Sequence, residues 1–111
     1  MLYKFKSKST GDVIMLQPNG QRVLEIIGKH SAAEPSLKGI LLPEHMPQAL
    51  EALRHAINQD EAQRQQAVAD AARENKTPPA FEAISLRQRA LPFMDMIRAC
   101  LKDDVPITWG V

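Results

Sequence analysis

Both ends of this chain alternate between apolar and polar residues, while most of the sequence between them repeats with the period of a helix. In the closing stretch "VPITWGV", Val105, Ile107, Trp109 and Val111 fall on every second position, with Pro106, Thr108 and Gly110 between them. A period of two is the mark of a strand with one buried face. The head, "MLYKFKSK", matches it: Tyr3 and Phe5 point to one side, and Lys4, Lys6 and Lys8 to the other, with Leu2 on the lysine side. Chain ends are commonly polar and frayed, so apolar alternation at both ends predicts that head and tail share one sheet. Pro106 has no amide hydrogen to give a ladder, which suits the start of a strand or an edge.

Ser9 to Gly11 reads as a turn, with Gly11 free to take a positive φ, and "DVIML" (Asp12 to Leu16) as the second strand of a hairpin. In "PNGQRVLEIIGK", Val23, Leu24, Ile26 and Ile27 make a helical apolar stripe, opened by Pro18 and Asn19 and closed by Gly28. "HSAAEPS" reads as a surface loop, and Gly39 to Pro43 as either a buried link or a fourth short strand. From about Pro47 a long helix begins, with Leu50, Leu53 and Ile57 facing the core, beside Ala49 and Ala56. Its continuation, "NQDEAQRQQ", is polar on nearly every side yet made of good helix formers. A helix running on to Glu74 would be roughly 40 Å long, more than the ~35 Å diameter of a compact chain of this size. The distal half is therefore expected to project, bend or fray, with a Pro-containing return; the whole excursion covers about residues 58–84. The last helix starts at Ser85, whose spacing to Gln88 fits a capping box. Leu86, Ala90, Phe93, Ile97 and Leu101 line one face, and Pro92 predicts a kink or break.

At 111 residues, with 44% apolar and 24% charged positions, the chain suits one domain (1–111) with one core. The expected fold is α+β: a small, mainly antiparallel sheet of three strands, or four if Gly39–Pro43 joins, packed on one face by three helices with the middle one long. Tyr3, Phe5, Leu50, Leu53, Phe93, Ile97, Val105, Ile107 and Trp109 are its expected core. One Cys leaves no internal disulfide, no apolar run approaches the ~20 residues of a membrane span, and the head lacks a signal-peptide core. A soluble cytoplasmic domain is expected.

The segments "GDVIML", "IIGK", "SLRQRALP" and "VPITWGV", in this order, resemble a family of short bacterial proteins classed as domain of unknown function eighteen-forty. The residues that match its pattern are Gly11, Asp12, Val13, Met15, Gly28, Arg89, Ala90, Pro92, Val105, Trp109 and Gly110. The likeness spans almost the whole chain and is weakest in the long polar helix and its return. It implies a cytoplasmic bacterial protein and carries no reaction, ligand or site residue with it.

For chemistry the sequence offers little. His30, His45 and His55 do not combine: the last two would sit about 80° apart around a helix, unlike an i, i+4 zinc pair. Cys100 lies at the C-terminal end of its helix, where the dipole opposes a thiolate, so it reads as a packed structural thiol. Asp12, Asp95, Asp103 and Asp104 form no pair with acid–base spacing, and "PNGQR" lacks the glycines and Lys-Ser/Thr of a phosphate loop. No pattern asks for a catalytic residue, cofactor or metal. Two surfaces remain. Lys4, Lys6 and Lys8, extended by Arg87 and Arg89, could cradle an anion or a nucleic-acid backbone, although the formal charge of +1 and the lack of interleaved aromatics favour a plain solvated face. Ala67, Val68, Ala71 and Ala72 form a weak apolar patch on the distal long helix, suited to self-association or a protein partner. The leading expectation is a non-enzymatic interaction module acting through that helix or an exposed sheet face. A weak anion or nucleic-acid binder comes second and a small enzyme last.

Overall fold

The computed structural model describes residues 2–29, 38–77 and 85–110. The expected loop "HSAAEPS", most of the Pro-containing return and Val111 lie outside the described residues. Strands β1 (Leu2–Lys6) and β2 (Val13–Leu16) lead into helix α1 (Gln17–Ile26). Strand β3 (Gly39–Leu41) and a single 3-10 turn (Pro43–His45) precede the long helix α2 (Met46–Arg73). Helix α3 (Leu86–Asp103) and strand β4 (Ile107–Trp109) complete the fold. The sheet is antiparallel throughout, in the order β2-β1-β4-β3, so head and tail supply its two central strands. Gly39–Leu41 is thus a strand, and Pro106 stands just before β4, where its missing donor removes no ladder bond.

Alternation decides which residues enter the core. Tyr3, Phe5, Met15, Leu41, Ile107 and Trp109 point to the helical side and are buried. Phe5 sits at the centre, its ring 4.6 Å from Phe93, 5.9 Å from Trp109 and 6.3 Å from Tyr3. From α2, Met46, Ala49, Leu53 and Ile57 close over this layer, and α3 adds Leu86, Ala90, Phe93, Met94, Ile97 and Cys100. Leu50 and Val105 are half-buried and pack against the margin of the cluster. Two glycines allow close approach: a Cβ on Gly20 would fall 2.5 Å from the Tyr3 ring, and one on Gly39 would fall 2.5 Å from the Trp109 indole.

The helix ends follow local chemistry. Gly28 takes φ +80° after α1, and the amides of Gly28 and Lys29 return to the carbonyls of Glu25 (3.0 Å) and Leu24 (2.7 Å). Asn75 (φ 56°) and Asp104 (φ 57°) do the same work after α2 and α3, since their short polar side chains tolerate the left-handed region. Ser85 and Gln88 form the capping box.

Three local expectations are corrected. Gly11 is not the positive-φ residue of the hairpin connection. Ser7 shapes that turn instead: its Oγ accepts the amides of Ser9 (3.2 Å) and Thr10 (3.1 Å) and bonds Thr10 Oγ1 at 2.9 Å. Lys8 therefore lies in the connection, since β1 ends at Lys6. Nor does Pro92 break α3, which runs through it without interruption. Pro92 and Gln88 are both exposed, so water can reach the carbonyl that Pro92 leaves without its helical donor.

Helix α2 is continuous over 28 residues, about 42 Å at 1.5 Å per residue. The molecule measures 52 × 28 × 25 Å, so α2 is far longer than its two short dimensions. Its polar middle is anchored on both sides. Asp60 accepts from Arg64 Nε at 3.1 Å and faces Arg22 of α1 at 3.8 Å, while Glu61 takes both Arg87 nitrogens of α3, at 2.5 and 3.2 Å.

Candidate interaction surface

All three helices lie on one side of the sheet, and among the described residues no element covers its other face. Leu2, Lys4 and Lys6 of β1, Ile14 and Leu16 of β2, Thr108 of β4 and Ile40 of β3 point outward, as the pleat requires. Pairing sets their neighbours: Leu2 lies opposite Leu16, Lys4 opposite Ile14, and Thr108 between Lys6 and Ile40. Leu2, Ile14, Leu16 and Ile40 are exposed at 58, 55, 61 and 44%, and they are four of the six large apolar side chains exposed among the described residues. The other two, Val68 and Leu91, lie on helices. Single exposed leucines are ordinary on protein surfaces, but a cluster on one uncovered face marks a place for contact.

A hollow of about 320 Å³ opens at the edge of this face, lined by Lys6, Ser7, Lys8, Pro106 and Thr108. Lys6, Lys8 and Thr108 each contribute to its wall. The hydroxyl of Ser7 is already engaged within the turn. Lys4 stays on the open face between Leu2 and Lys6. Of the cationic set expected from sequence, Lys6 and Lys8 are thus brought together, while Arg87 and Arg89 are not joined to them. Both arginines belong to α3, which packs on the opposite side of the sheet, and Arg87 is held by the Glu61 carboxylate. That pairing pulls the Glu61 carboxyl below the ordinary carboxylate range and raises the Arg87 guanidinium above its usual value, chiefly through their hydrogen bonds.

The patch expected on distal α2 divides. Ala71 is buried and Ala67 half-buried, because they continue the inward stripe of Leu53 and Ile57. Val68 and Ala72 stay exposed and line a shallow hollow of about 420 Å³ with Arg64, Gln65 and Ala69. A third hollow, about 410 Å³, lies between the end of α1, Leu41 and the start of α2, with Lys29, His45 and Gln48 on its wall. Among the described residues no three of His, Cys, Asp and Glu converge as a metal site, and no helix is long and apolar enough to cross a membrane. His30 lies outside the described residues.

Residues 1–109 match the family model described as Domain of unknown function (DUF1840). The chain belongs to that family. No curated protein and no solved structure matches it. Several residues that carry the DUF1840 likeness have structural duties here: Gly28 turns the chain after α1, Ala90 packs against the core, and Trp109 fills the sheet's helical side. None of the four outward apolar side chains is among the residues that match the family's pattern, although Ile14 and Leu16 lie within the segment GDVIML. Leu2 is legible from its place on the lysine side of β1, but Ile14 and Leu16 are not, because in an almost wholly apolar strand only the register separates the buried Met15 from its exposed neighbours.

Proposed function

We propose that this protein is a non-enzymatic interaction module of the bacterial cytoplasm, which holds a protein partner on its outer sheet face. The observation that carries this reading is the concentration of Leu2, Ile14, Leu16 and Ile40 on the one side of the sheet that no helix covers. Leaving apolar side chains of this size in water forgoes roughly 1.5–3 kcal/mol each, and a partner would recover part of it. A free buried thiol at Cys100 is compatible with a reducing compartment.

The exposed side of distal α2 supports the reading less well, since Ala71 and Ala67 are turned inward and Val68 is left as the one large apolar side chain there. An anion or nucleic-acid role has less support again, because the cationic set reduces to Lys4, Lys6 and Lys8, with no outward aromatic side chain among the described residues on which bases could stack.

The test compares affinity capture from the native cells by the parent chain and by Ile14→Ser/Leu16→Ser. Both substitutions are at exposed sites, so the fold should survive, as far-UV circular dichroism would register. A protein retained in stoichiometric amount by the parent and lost from the double variant is the expected result. Identical captured sets, or no retained protein, would refute the reading.

A further inference from the structure

The outer face has a shape, a charge and a size, and together they narrow what can lie on it. Its outward strand positions hold lysines and apolar residues but no carboxylate among the described residues. Three strand spacings of ~4.8 Å make it about 14 Å across, and Leu2 to Lys6 spans about the same length. That footprint falls well short of the roughly 800 Å² that each partner of a stable protein complex contributes. It does match one helix, ~10–12 Å in diameter, over about three turns.

We propose that the segment bound here is an acidic amphipathic helix. This rests on the interaction reading above and names the chemistry of its partner. The apolar stripe of the helix runs along Leu2, Leu16 and Ile14, and the carboxylates on its flank toward β4 meet Lys4 and Lys6. One carboxylate enters the hollow between Lys6 and Lys8, where the Thr108 hydroxyl can donate to it. A second copy of the chain is a poorer occupant, since two such faces would set lysine against lysine.

The full chain serves as bait for a displayed library of random peptides about as long as four helical turns. The peptides it selects are then synthesised with a fluorescent label and titrated by anisotropy. Selected sequences should carry Leu, Ile or Phe at helical spacing together with Asp or Glu, and should gain helicity on binding. Lys6→Glu/Lys8→Glu should weaken them at least about tenfold, as expected for a lost charge-assisted bond. Added salt should weaken binding to the parent. Basic or uncharged peptides that Ile14→Ser/Leu16→Ser abolishes and Lys6→Glu/Lys8→Glu leaves unchanged would overturn the acidic partner while sparing the interaction surface. No selected peptide, or binding indifferent to both variants, would overturn both. Two further results would replace the helix with another occupant. One is a concentration-dependent dimer in sedimentation that either variant disperses. The other is binding to phosphatidylcholine–phosphatidylserine vesicles that both variants abolish.

Discussion

Replacing Gly20 by Ala sets two effects of opposite sign against each other. Gly20 lies inside α1, where exchanging Gly for Ala ordinarily stabilises a helix by roughly 0.5–1 kcal/mol. Here the helix crosses the side chain of Tyr3 so closely that the new methyl would stand 2.5 Å from Cδ2, 2.6 Å from Cγ and 2.8 Å from Cβ of that residue. Comfortable carbon–carbon contact is about 3.5–4.0 Å, so something must retreat by about 1 Å. The ring cannot swing clear, because Cβ and Cγ are among the encroached atoms and β1 is a central strand, fixed by neighbours on both sides. Overpacking of this kind costs about 1–3 kcal/mol, and the immobility of Tyr3 puts this site in the upper half of that range. The net expectation is a loss of about 1–2 kcal/mol, or a fall in Tm of about 4–8 °C for a domain of this size. Urea unfolding followed by far-UV circular dichroism and by Trp109 fluorescence would measure it. A variant as stable as the parent, or more so, would mean that helix propensity wins and that α1 does not bear on Tyr3 as described.

Other consequences can be checked separately. Trp109→Ala removes a side chain that is 1% exposed and should cost about 3–5 kcal/mol, a large part of a small domain's stability, read as a collapse of the urea midpoint. Trp109 emission in the native protein should be blue-shifted and inaccessible to iodide; quenching as in the unfolded chain would contradict its burial. The Glu61 carboxyl is held below its ordinary value in the fold, so its contribution to stability is complete at neutral pH and is lost as pH falls through that lowered value. Glu61→Gln should accordingly lower stability at pH 7 by a small amount and flatten the acid limb of the Tm-versus-pH curve, whereas an unchanged acid limb would leave the pair with no part in it. Cys100 is fully buried, so its thiol should react with an aromatic disulfide reagent only at the rate of unfolding; prompt reaction in native buffer would place it at the surface.

The fold was legible where side-chain period and end chemistry coincide. Tyr3 and Phe5 against Ile107 and Trp109, Gly28 beyond α1 and Ser85 with Gln88 each carry a local signal, and each has its expected place. Pro92 does not break α3, because a rule about helix interiors takes no account of whether water can serve the freed carbonyl. The polar run of α2 does not announce its anchors: Asp60 and Glu61 meet Arg22 and Arg87, partners 26 to 38 positions away that no local pattern reveals. Ile14 and Leu16 show the same limit at the candidate surface. Strand chemistry marked them as apolar, but only pairing with β1 and the position of the helices decide that they face outward.

The tail's place between β1 and β3 has a consequence for how the protein is made. Translation delivers Gly39–Leu41 roughly seventy residues before the one described strand that pairs with it, and the open flank of the first hairpin, complete at Leu16, waits longer still. Until Trp109 leaves the ribosome, nascent chains hold two unsatisfied edges and an unroofed aromatic cluster, the state most open to mispairing and to chaperones. The last strand then brings the first hairpin and Gly39–Leu41 into one sheet, since it alone pairs with both.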